Sequence, residues 1–317
     1  MILLLGASGY IGRAFLAELK KRGWDCLTLS RHDVDYTSFP VLVDFLRRTR
    51  PHFVINAAGF TGRPNVDACE ARRAETLLGN VMLPLTVAHA CAITDIPWGH
   101  VSSGCIYNGA NLLIDGEWRI EPDLSPPAMR DLFHCTPERF RGFTESDEPN
   151  FTFRSQSCSF YSGTKALGEE VVRGIGQSYI WRLRIPFDEN DDERNYITKL
   201  LRYPRIYQNI NSLSHRGDFV RTCLDLWAVR APFGVYNVTN PGAVSTAQVI
   251  DMIRCTLQPA REFSFWRDDA EFYRLGAATP RSNCILDVSR LIAEGVVVRP
   301  VQEALRHALE NWRGESL

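Results

Sequence analysis

A tyrosine and a lysine one helical turn apart form the clearest catalytic pattern in this 317-residue chain. A helix that contains Tyr161 and Lys165 projects both side chains from one face. An ammonium group near a phenol lowers the pKa of the phenol, so Tyr161 is predicted to exchange a proton as hydride moves to or from a carbonyl carbon. Ser103, at the end of an apolar run, is expected to hydrogen-bond the carbonyl oxygen of the substrate.

A glycine-rich turn near the N-terminus predicts the matching cofactor site. The stretch Gly6–Gly12 follows the apolar run Met1–Leu5 and opens an amphipathic segment that extends to Arg22. Glycines let the backbone approach a pyrophosphate, and the N-terminus of the following helix offers free N–H groups. The turn residues predicted to bind a dinucleotide are Gly6, Ser8, Gly9, Tyr10, Ile11 and Gly12.

Alternating strands and helices must position these residues. Strands are predicted at Ile2–Leu5, Cys26–Leu29, Phe53–Asn56, Trp98–Ser102 and Ser178–Arg184, and helices at Tyr10–Arg22, Phe39–Arg50, about Ala71–Ala92 and Ser162–Ile175. This order predicts an α/β fold with a doubly wound parallel sheet of the Rossmann type. We expect residues 1–185 to form the dinucleotide-binding domain. Residues 186–317 are expected to form mainly a smaller α/β substrate-binding lobe, with segments that return to the core.

A long segment between Ser103 and Tyr161 has no clear period. Residues 108–150 combine prolines and charges with aromatic residues such as Trp118 and Phe133. The aromatic residues favour a folded insertion over disorder. By topology this insertion lies beside the substrate crevice, and we hypothesise that it caps the site or pairs subunits in a homodimer.

Composition excludes several classes of partner and compartment. The formal net charge is −1 without a basic block, so electrostatics gives no reason to expect nucleic acid or a membrane surface. The apolar N-terminal run is too short for a signal peptide or a spanning helix. The nine cysteines form no CxxC pair, which favours reduced thiols in the cytoplasm. The seven histidines show no paired spacing, and no metal site is predicted.

Together these motifs resemble the extended short-chain dehydrogenase/reductase superfamily. The resemblance implies that Tyr161 is the acid/base, that Lys165 also holds the nicotinamide ribose, and that Ser103 orients the carbonyl. It further implies that a second group of residues lines the cofactor path, namely Asn56, Ala57, Ala58, Gly59 and Asn80.

Further runs narrow the resemblance to the nucleotide-rhamnose synthase/epimerase-reductase family. They are Thr61–Asp67 with Cys69-Glu70, Gly104–Tyr107, Asn195–Lys199, Thr239–Gly242 and Pro280–Asn283. That family epimerises two carbons of a nucleotide-linked 4-keto-6-deoxyglucose and reduces the ketone, whereas the related dTDP-4-dehydrorhamnose reductases only reduce. The resemblance implies that Cys105 and Lys199 exchange the protons of epimerisation, and that Thr61, Arg63 and Asn65 contact the substrate. A buried cysteine and a solvated helix lysine remain alternative interpretations.

The residues after the second predicted strand favour NADP(H) over NAD(H). An acidic residue there would bind the ribose 2′-hydroxyl of NAD, but the sequence has Arg31, which suits a 2′-phosphate. Asp35 and Tyr36 are then expected beside the adenine, as the matching pair is in relatives. NAD(H) remains the alternative cofactor.

Three arginines are candidates for the diphosphate of the nucleotide sugar, because guanidinium groups bind phosphate bidentately. They are Arg205, Arg216 and Arg281, each with a surface or structural role as the alternative. The predicted function is an NADPH-dependent epimerase-reductase that converts UDP- or dTDP-4-keto-6-deoxyglucose to the rhamnose sugar nucleotide. The alternatives are a reductase without epimerase activity, an NAD-dependent sugar epimerase or dehydratase, and a non-catalytic NADP(H)-binding regulatory subunit.

Overall fold

One parallel sheet forms the centre of the molecule. The computed structural model describes residues 1–155, 157–258 and 260–314. Its strands are β1 (Ile2–Leu5), β2 (Cys26–Leu29), β3 (Phe53–Asn56), β4 (Trp98–Ser103), β5 (Ala110–Ile114), β6 (Glu117–Glu121), β7 (Phe140–Arg141), β8 (Ser178–Leu183), β9 (Pro186–Phe187), β10 (Ile210–Asn211), β11 (Ser214–His215), β12 (Gly234–Asn237) and β13 (Val244–Ser245). The six-stranded sheet has the order β2-β1-β3-β4-β8-β12, so the chain reverses its direction of growth between β1 and β3. The predicted doubly wound α/β sheet is confirmed.

Helices cover both faces of this sheet. They are α1 (Tyr10–Lys21), α2 (Phe39–Thr49), α3 (Ala68–Ala71), α4 (Arg73–Leu77), α5 (Leu83–Thr94), α6 (Pro127–Cys135), α7 (Phe160–Val172), α8 (Tyr196–Arg202), α9 (Arg216–Ala228), α10 (Thr246–Thr256), α11 (Asp269–Leu275), α12 (Ser289–Ala293) and α13 (Val301–Glu310). Side chains of α1 and α9 pack on one face, and side chains of α2, α5 and α7 pack on the other. Strands buried on both faces explain why β1 and β3 consist of continuous apolar residues apart from the terminal Asn56.

The helix predicted at about Ala71–Ala92 is interrupted. Helices α3 and α4 are followed by a π-helical turn at Leu78–Met82, and α5 starts only afterwards. Pro84 lies in the first turn of α5 and has no N–H group to donate to the turn before it, which accounts for the widened turn.

The same stretch meets the length and hydropathy of a membrane span. Residues Arg73–Thr94 have a mean hydropathy of 1.5 in their most apolar window, and half of that window is buried. Val87, Ala88 and Cys91 of α5 belong to the core beneath the sheet. Packing within the protein therefore accounts for this apolar stretch.

The C-terminal part of the chain forms a second core. Helices α8, α10 and α13 pack around Ile197, Val249 and Leu305. Strand β12, by contrast, joins the central sheet beside β8. The later half of the sequence therefore contributes to both cores.

The insertion at residues 108–150 is folded. Strands β5, β6 and β7 form an antiparallel sheet, and α6 packs against it through Phe133. At its base, the Asn108 N–H donates to Asn150 Oδ1 at 2.8 Å, and Asn150 Nδ2 donates back to the Asn108 carbonyl at 2.9 Å. Its apolar side packs on Ile210 and Ala243 of the later half. The insertion is thus attached along one side as well as at its ends.

Candidate active site

Ser103 lies where β4 leaves the sheet. A 3₁₀ turn at Gly104–Ile106 follows directly, and the Ser103 hydroxyl accepts a hydrogen bond from the Cys105 N–H at 3.2 Å. The turn directs the chain out of the sheet at its carboxyl edge, where ligands of open α/β folds bind. Ser103 is buried, and Cys105 is partly exposed beside it.

Helix α7 brings Tyr161 and Lys165 to the same edge. Its N-cap Ser159 accepts from the Ser162 N–H, and the Glu70 carboxylate accepts from the Phe160 N–H at 2.7 Å. Lys165 extends towards β4, where its Nζ donates to the Val101 carbonyl at 3.1 Å. Tyr161 interacts through a side-chain hydrogen bond with Ser103. The structure therefore brings the predicted serine, tyrosine and lysine together.

The electrostatics of this trio differ from the sequence-based expectation. Burial raises the pKa of Tyr161, the Cys105 side chain raises it further, and the hydrogen bond with Ser103 lowers it. The net shift is upwards, so the expected lowering of this pKa is wrong for this state of the site. Burial also lowers the pKa of Lys165 to about 8, against the charge of Glu169, which raises it.

Beneath the trio lies a buried ion pair. Glu169, one turn after Lys165 on α7, accepts from Arg182 of β8 through both carboxylate oxygens. The same carboxylate accepts from the Ser102 hydroxyl at 2.5 Å. This network joins α7, β4 and β8 immediately behind the reacting groups.

Cys105 has a cationic partner that sequence reasoning missed. Arg184, directly after β8, donates from Nη1 to the Cys105 sulfur at 2.9 Å. Its Nη2 donates to Asn211 Oδ1 and to the Ser282 carbonyl. A charged residue at the carboxyl end of a buried strand was the available signal, because such positions face the crevice.

Lys199 lies on α8 among positive charges. Burial lowers its pKa, and Arg194 and Arg281 lower it further. Arg281 is followed by Ser282, whose carbonyl binds Arg184. The loop that contains Arg281 and Ser282 therefore interacts both with Lys199 and with Arg184, the partner of Cys105.

The loop at Thr61–Asp67 packs against the second half of the chain. Arg194 donates to Thr61 Oγ1 at 3.0 Å and to the Gly62 carbonyl at 2.7 Å. Arg281 forms a bidentate pair with Asp67, at 2.6 and 2.8 Å. Burial raises the pKa of Asp67, but this pairing outweighs it and holds the pKa below its usual value.

The other predicted residues of that loop have different surroundings. The Asn65 side chain accepts from the Asp67 N–H at 2.8 Å and so shapes the turn. Arg63 is largely exposed and lies 3.5 Å from the Glu193 carboxylate. Neither residue has a contact that shows a substrate-binding role.

The glycine turn has the shape that a dinucleotide requires. Gly6 has a φ of +78°, and a Cβ on Gly12 would lie 2.0 Å from the Gly6 carbonyl oxygen. The N-cap of α1 is Gly9, which has no side chain to cap the first N–H groups. Backbone donors without a side-chain cap at a close-packed glycine turn fit a pyrophosphate.

Two residues of the turn have further contacts. The Tyr10 hydroxyl donates to Asp188 Oδ1 at 3.2 Å, and the Arg216 guanidinium lies 4.4 Å above the Tyr10 ring. Ile11 packs against the core beneath α1, while Ser8 stays exposed. The turn therefore contacts the later half of the chain through Tyr10.

The residues expected around the adenine lie close together after β2. Arg31 is exposed and interacts electrostatically with Asp35 and with Tyr36. Hydrogen bonds from Thr37 hold the pKa of Asp35 below its usual value. Tyr36 is buried in the core under the sheet, so packing alone explains its presence.

Two predicted cofactor residues hold the backbone of the path after β3. Asn56 Oδ1 accepts from the Ala58 N–H at 3.1 Å, which fixes the turn through Ala57 towards Gly59. Asn80 accepts from the Phe60 N–H and donates to the Phe60 carbonyl, both at 2.8 Å. Their side-chain amides therefore fix the backbone conformation of this path through hydrogen bonds to Ala58 and Phe60.

Two of the predicted phosphate-binding arginines have other partners. Arg205 pairs with Glu271 at 3.0 Å and lies over the Trp266 ring. Arg216 pairs with Asp188 at 2.5 Å beside the glycine turn. Of the three candidates, Arg281 is the one that borders a cavity of about 460 Å³ between the insertion and the C-terminal half.

A family model described as the RmlD substrate binding domain matches residues 1–313. The chain belongs to the RmlD family. The bifunctional dTDP-4-dehydrorhamnose 3,5-epimerase/dTDP-4-dehydrorhamnose reductase of Arabidopsis thaliana is 32% identical over 96% of this chain and 90% of its own length. Trifunctional rhamnose-forming enzymes of the same plant are longer, and this chain spans 35% to 41% of their length. The predicted family resemblance is confirmed.

Solved structures agree with the RmlD family fold. The L780 UDP-rhamnose synthase of Acanthamoeba polyphaga mimivirus superimposes with a TM-score of 0.81 at 23% identity, over 98% of both chains. A dTDP-4-dehydrorhamnose reductase of Bacillus anthracis, solved in complex with NADP, gives a TM-score of 0.73 at 19% identity over 98% of this chain and 97% of its own.

Proposed function

We propose that this RmlD family member is an NADPH-dependent epimerase-reductase. It would convert UDP- or dTDP-4-keto-6-deoxyglucose to the corresponding rhamnose sugar nucleotide. One observation carries the proposal. The trio of Ser103, Tyr161 and Lys165 lies beside Cys105, which is partly exposed on the turn after β4 and accepts a hydrogen bond from Arg184. The similarity to a bifunctional plant epimerase-reductase over nearly the whole chain supports it.

Reduction would rest on the trio. Ser103 donates to the ketone oxygen and Tyr161 delivers the proton that this oxygen needs as it becomes a hydroxyl. Bound NADPH supplies the hydride. Lys165, held against β4 by the Val101 carbonyl, supplies positive charge beside both groups. The glycine turn and the Asn56–Gly59 path would hold the cofactor, with Arg31 at its 2′-phosphate.

Epimerisation would use Cys105 and Lys199. A proton on a carbon beside a ketone is acidic, since donors to the ketone oxygen stabilise the enolate. One group must remove that proton, and another must return a proton on the opposite face. Burial and the neighbouring arginines lower the pKa of Lys199, which favours proton exchange by this group.

The nucleotide would occupy the cavity beside the insertion. Asn108 and Pro122 form its wall on the insertion side, and Tyr273 and Arg281 form the opposite wall. Arg281 is shared with Asp67, so a diphosphate would have to compete with or add to that pair. Thr61 and Asn65 belong to the Thr61–Asp67 loop, which contains this aspartate.

We also propose a cytoplasmic homodimer. The cysteines of the described residues are free thiols, in keeping with a reducing compartment. Strand β6 is an edge strand with Trp118 and Ile120 exposed. Edge strands with apolar side chains favour pairing with another chain.

The deciding experiment is turnover in deuterated water with NADPH and either 4-keto-6-deoxyglucose nucleotide. Absorbance follows the loss of NADPH, and mass spectrometry counts deuterium in the product. Consumption with deuterium at two carbons supports an epimerase-reductase. Consumption without deuterium leaves a reductase, and tight NADPH binding without turnover favours a regulatory subunit.

A further inference from the structure

Arg184 is a buried cation without a carboxylate partner. Its side chain is 2% exposed. Within residues 1–155, 157–258 and 260–314, its guanidinium has no ion pair with an aspartate or glutamate, and its Nε has no hydrogen-bond acceptor. A buried charge is costly unless an opposite charge or several acceptors compensate it. The acceptors present are the Cys105 sulfur, the Asn211 amide oxygen and the Ser282 carbonyl.

Arg182, which lies two residues earlier in β8, provides the contrast. It is 1% exposed, and Glu169 neutralises it through a bidentate pair. One arginine thus has a permanent anion, while the other has a sulfur that becomes an anion only when it loses its proton.

Two sulfurs lie near Arg184, and they differ in hydrogen bonding and exposure. Burial raises the pKa of Cys284 to about 11, although Arg184 lowers it. The Cys284 thiol donates to the Gly104 carbonyl at 3.3 Å, so it holds its proton. Cys105 instead accepts from Arg184 and is partly exposed to the crevice. Cys105 is therefore the sulfur that can balance the arginine.

We propose that Arg184 is the positioning residue of Cys105 and makes it the base of the epimerisation pair. This inference rests on the proposed function. Cys105 without its proton breaks the C–H bond beside the ketone, the electron pair moves into the enolate, and the proton stays on sulfur. Lys199 then delivers a proton to the opposite face of the same carbon, where the electron pair of the enolate forms the new C–H bond. Proton exchange with water then removes the proton from Cys105 and returns one to Lys199.

In any pH test, the effect of Arg184 must be distinguished from the effects of the other titratable groups around Cys105. Those that interact with it electrostatically are Tyr161 and Lys165 on α7 and Cys284 behind Arg184. They are unchanged in the variants Arg184→Gln and Arg184→Lys. Only the second of these variants keeps a positive charge.

The first experiment measures deuterium exchange into the sugar across pH. We expect Arg184→Gln to slow exchange by about 10²-fold, as loss of a general base does, and to move the acidic limb of the profile to higher pH. Arg184→Lys should recover part of the rate and return the limb towards wild type. Arg184 also lowers the pKa of Tyr161, so hydride transfer to an already epimerised 4-keto-rhamnose nucleotide is measured beside exchange and should fall far less than exchange does, since Ser103, Tyr161 and Lys165 are intact. Equal exchange profiles for wild type and both variants would overturn the proposal.

A second experiment needs no substrate. Iodoacetamide alkylation of Cys105, followed by peptide mass spectrometry, should require higher pH in Arg184→Gln than in wild type. Asn211→Asp keeps the arginine but gives it a carboxylate, and it should shift alkylation in the same direction. If wild type exchanges no deuterium, the epimerase function is wrong, and unchanged alkylation in both variants separately rejects the role of Arg184.

Discussion

The proposed site contains two proton-handling regions, one for reduction and one for epimerisation, that are built differently. The reduction region, with Ser103, Tyr161 and Lys165, comes from β4 and α7, and α7 packs on the face of the sheet that contains β4. The epimerisation region takes Cys105 from the turn after β4 and Lys199 from α8 in the later half of the chain. The first region is a local construction, while the second depends on how the two halves meet.

This difference is visible in the partners of each region. The reduction region rests on the buried Glu169–Arg182 pair, a fixed pair of opposite charges. The epimerisation region has Arg184 with a thiol and Lys199 with two arginines. A titratable group with a shifted pKa, such as Lys199, is typical of a site that exchanges protons. The two regions should therefore respond separately to substitution and to pH.

Tyr161→Phe should have the largest effect and separate the regions. It removes the proton donor of reduction, so NADPH oxidation should fall by about 10²–10⁴-fold. Deuterium exchange into the sugar should continue, because Cys105 and Lys199 remain. NADPH titration by fluorescence serves as the control for folding. Loss of exchange together with reduction would show that the two regions act as one.

Cys105→Ser should produce the reverse pattern. A serine hydroxyl loses its proton only at far higher pH than a thiol, so it supplies almost no anionic base, and exchange should drop by about 10²-fold or more. Reduction of an already epimerised 4-keto-rhamnose nucleotide should persist. Mass spectrometry measures the first activity and NADPH absorbance the second. Cys284→Ser is the matched control and should leave exchange close to wild type.

The pH profile of reduction should follow Lys165. Its pKa is lowered to about 8 in the folded chain, so the ammonium is lost as pH rises through that value. Reduction should then fall about tenfold per pH unit above it. Glu169→Gln removes the charge that opposes the lowering and should move this fall to lower pH. A reduction rate that stays flat between pH 7 and 10 contradicts this assignment.

Asp67→Asn should weaken the contact between the Thr61–Asp67 loop and the later half of the chain, and it should leave the glycine turn unchanged. It breaks the bidentate pair with Arg281, so the loop before α3 loses one attachment to the later half. We expect the KM for the nucleotide sugar to change by about fivefold, which corresponds to about 1 kcal/mol and lies within the range of one ordinary hydrogen bond. The affinity for NADPH should be unaffected, and a titration of each ligand distinguishes the two.

Trp118→Glu with Ile120→Glu should have the smallest effect on turnover. Both side chains are exposed on the edge strand β6, and charges there oppose strand pairing between chains. Sedimentation should show a smaller species if the homodimer forms through this edge. An increased KM without a change in mass would instead favour a role of the insertion as a cap.

The sheet and the reduction region were largely predictable from the sequence. Strands β1 and β3 follow the apolar runs, apart from the terminal Asn56 of β3, because strands buried on both faces must be nearly continuously apolar. Tyr161 and Lys165 meet because helical spacing alone puts them on one face. The π-helical turn was not predicted, because its cause is a single proline within an otherwise regular apolar pattern.

The amino-acid sequence by itself determined which groups take part: the glycine turn, the trio, and the candidates Cys105 and Lys199. Local periodicity and residue chemistry are enough for that. Tertiary structure decided which charges surround them. Arg184 reaches Cys105, and Arg281 reaches Asp67, across separations of 79 and 214 residues. Such pairings arise only when strands and loops from distant parts of the chain converge, since local sequence patterns do not encode which residues meet.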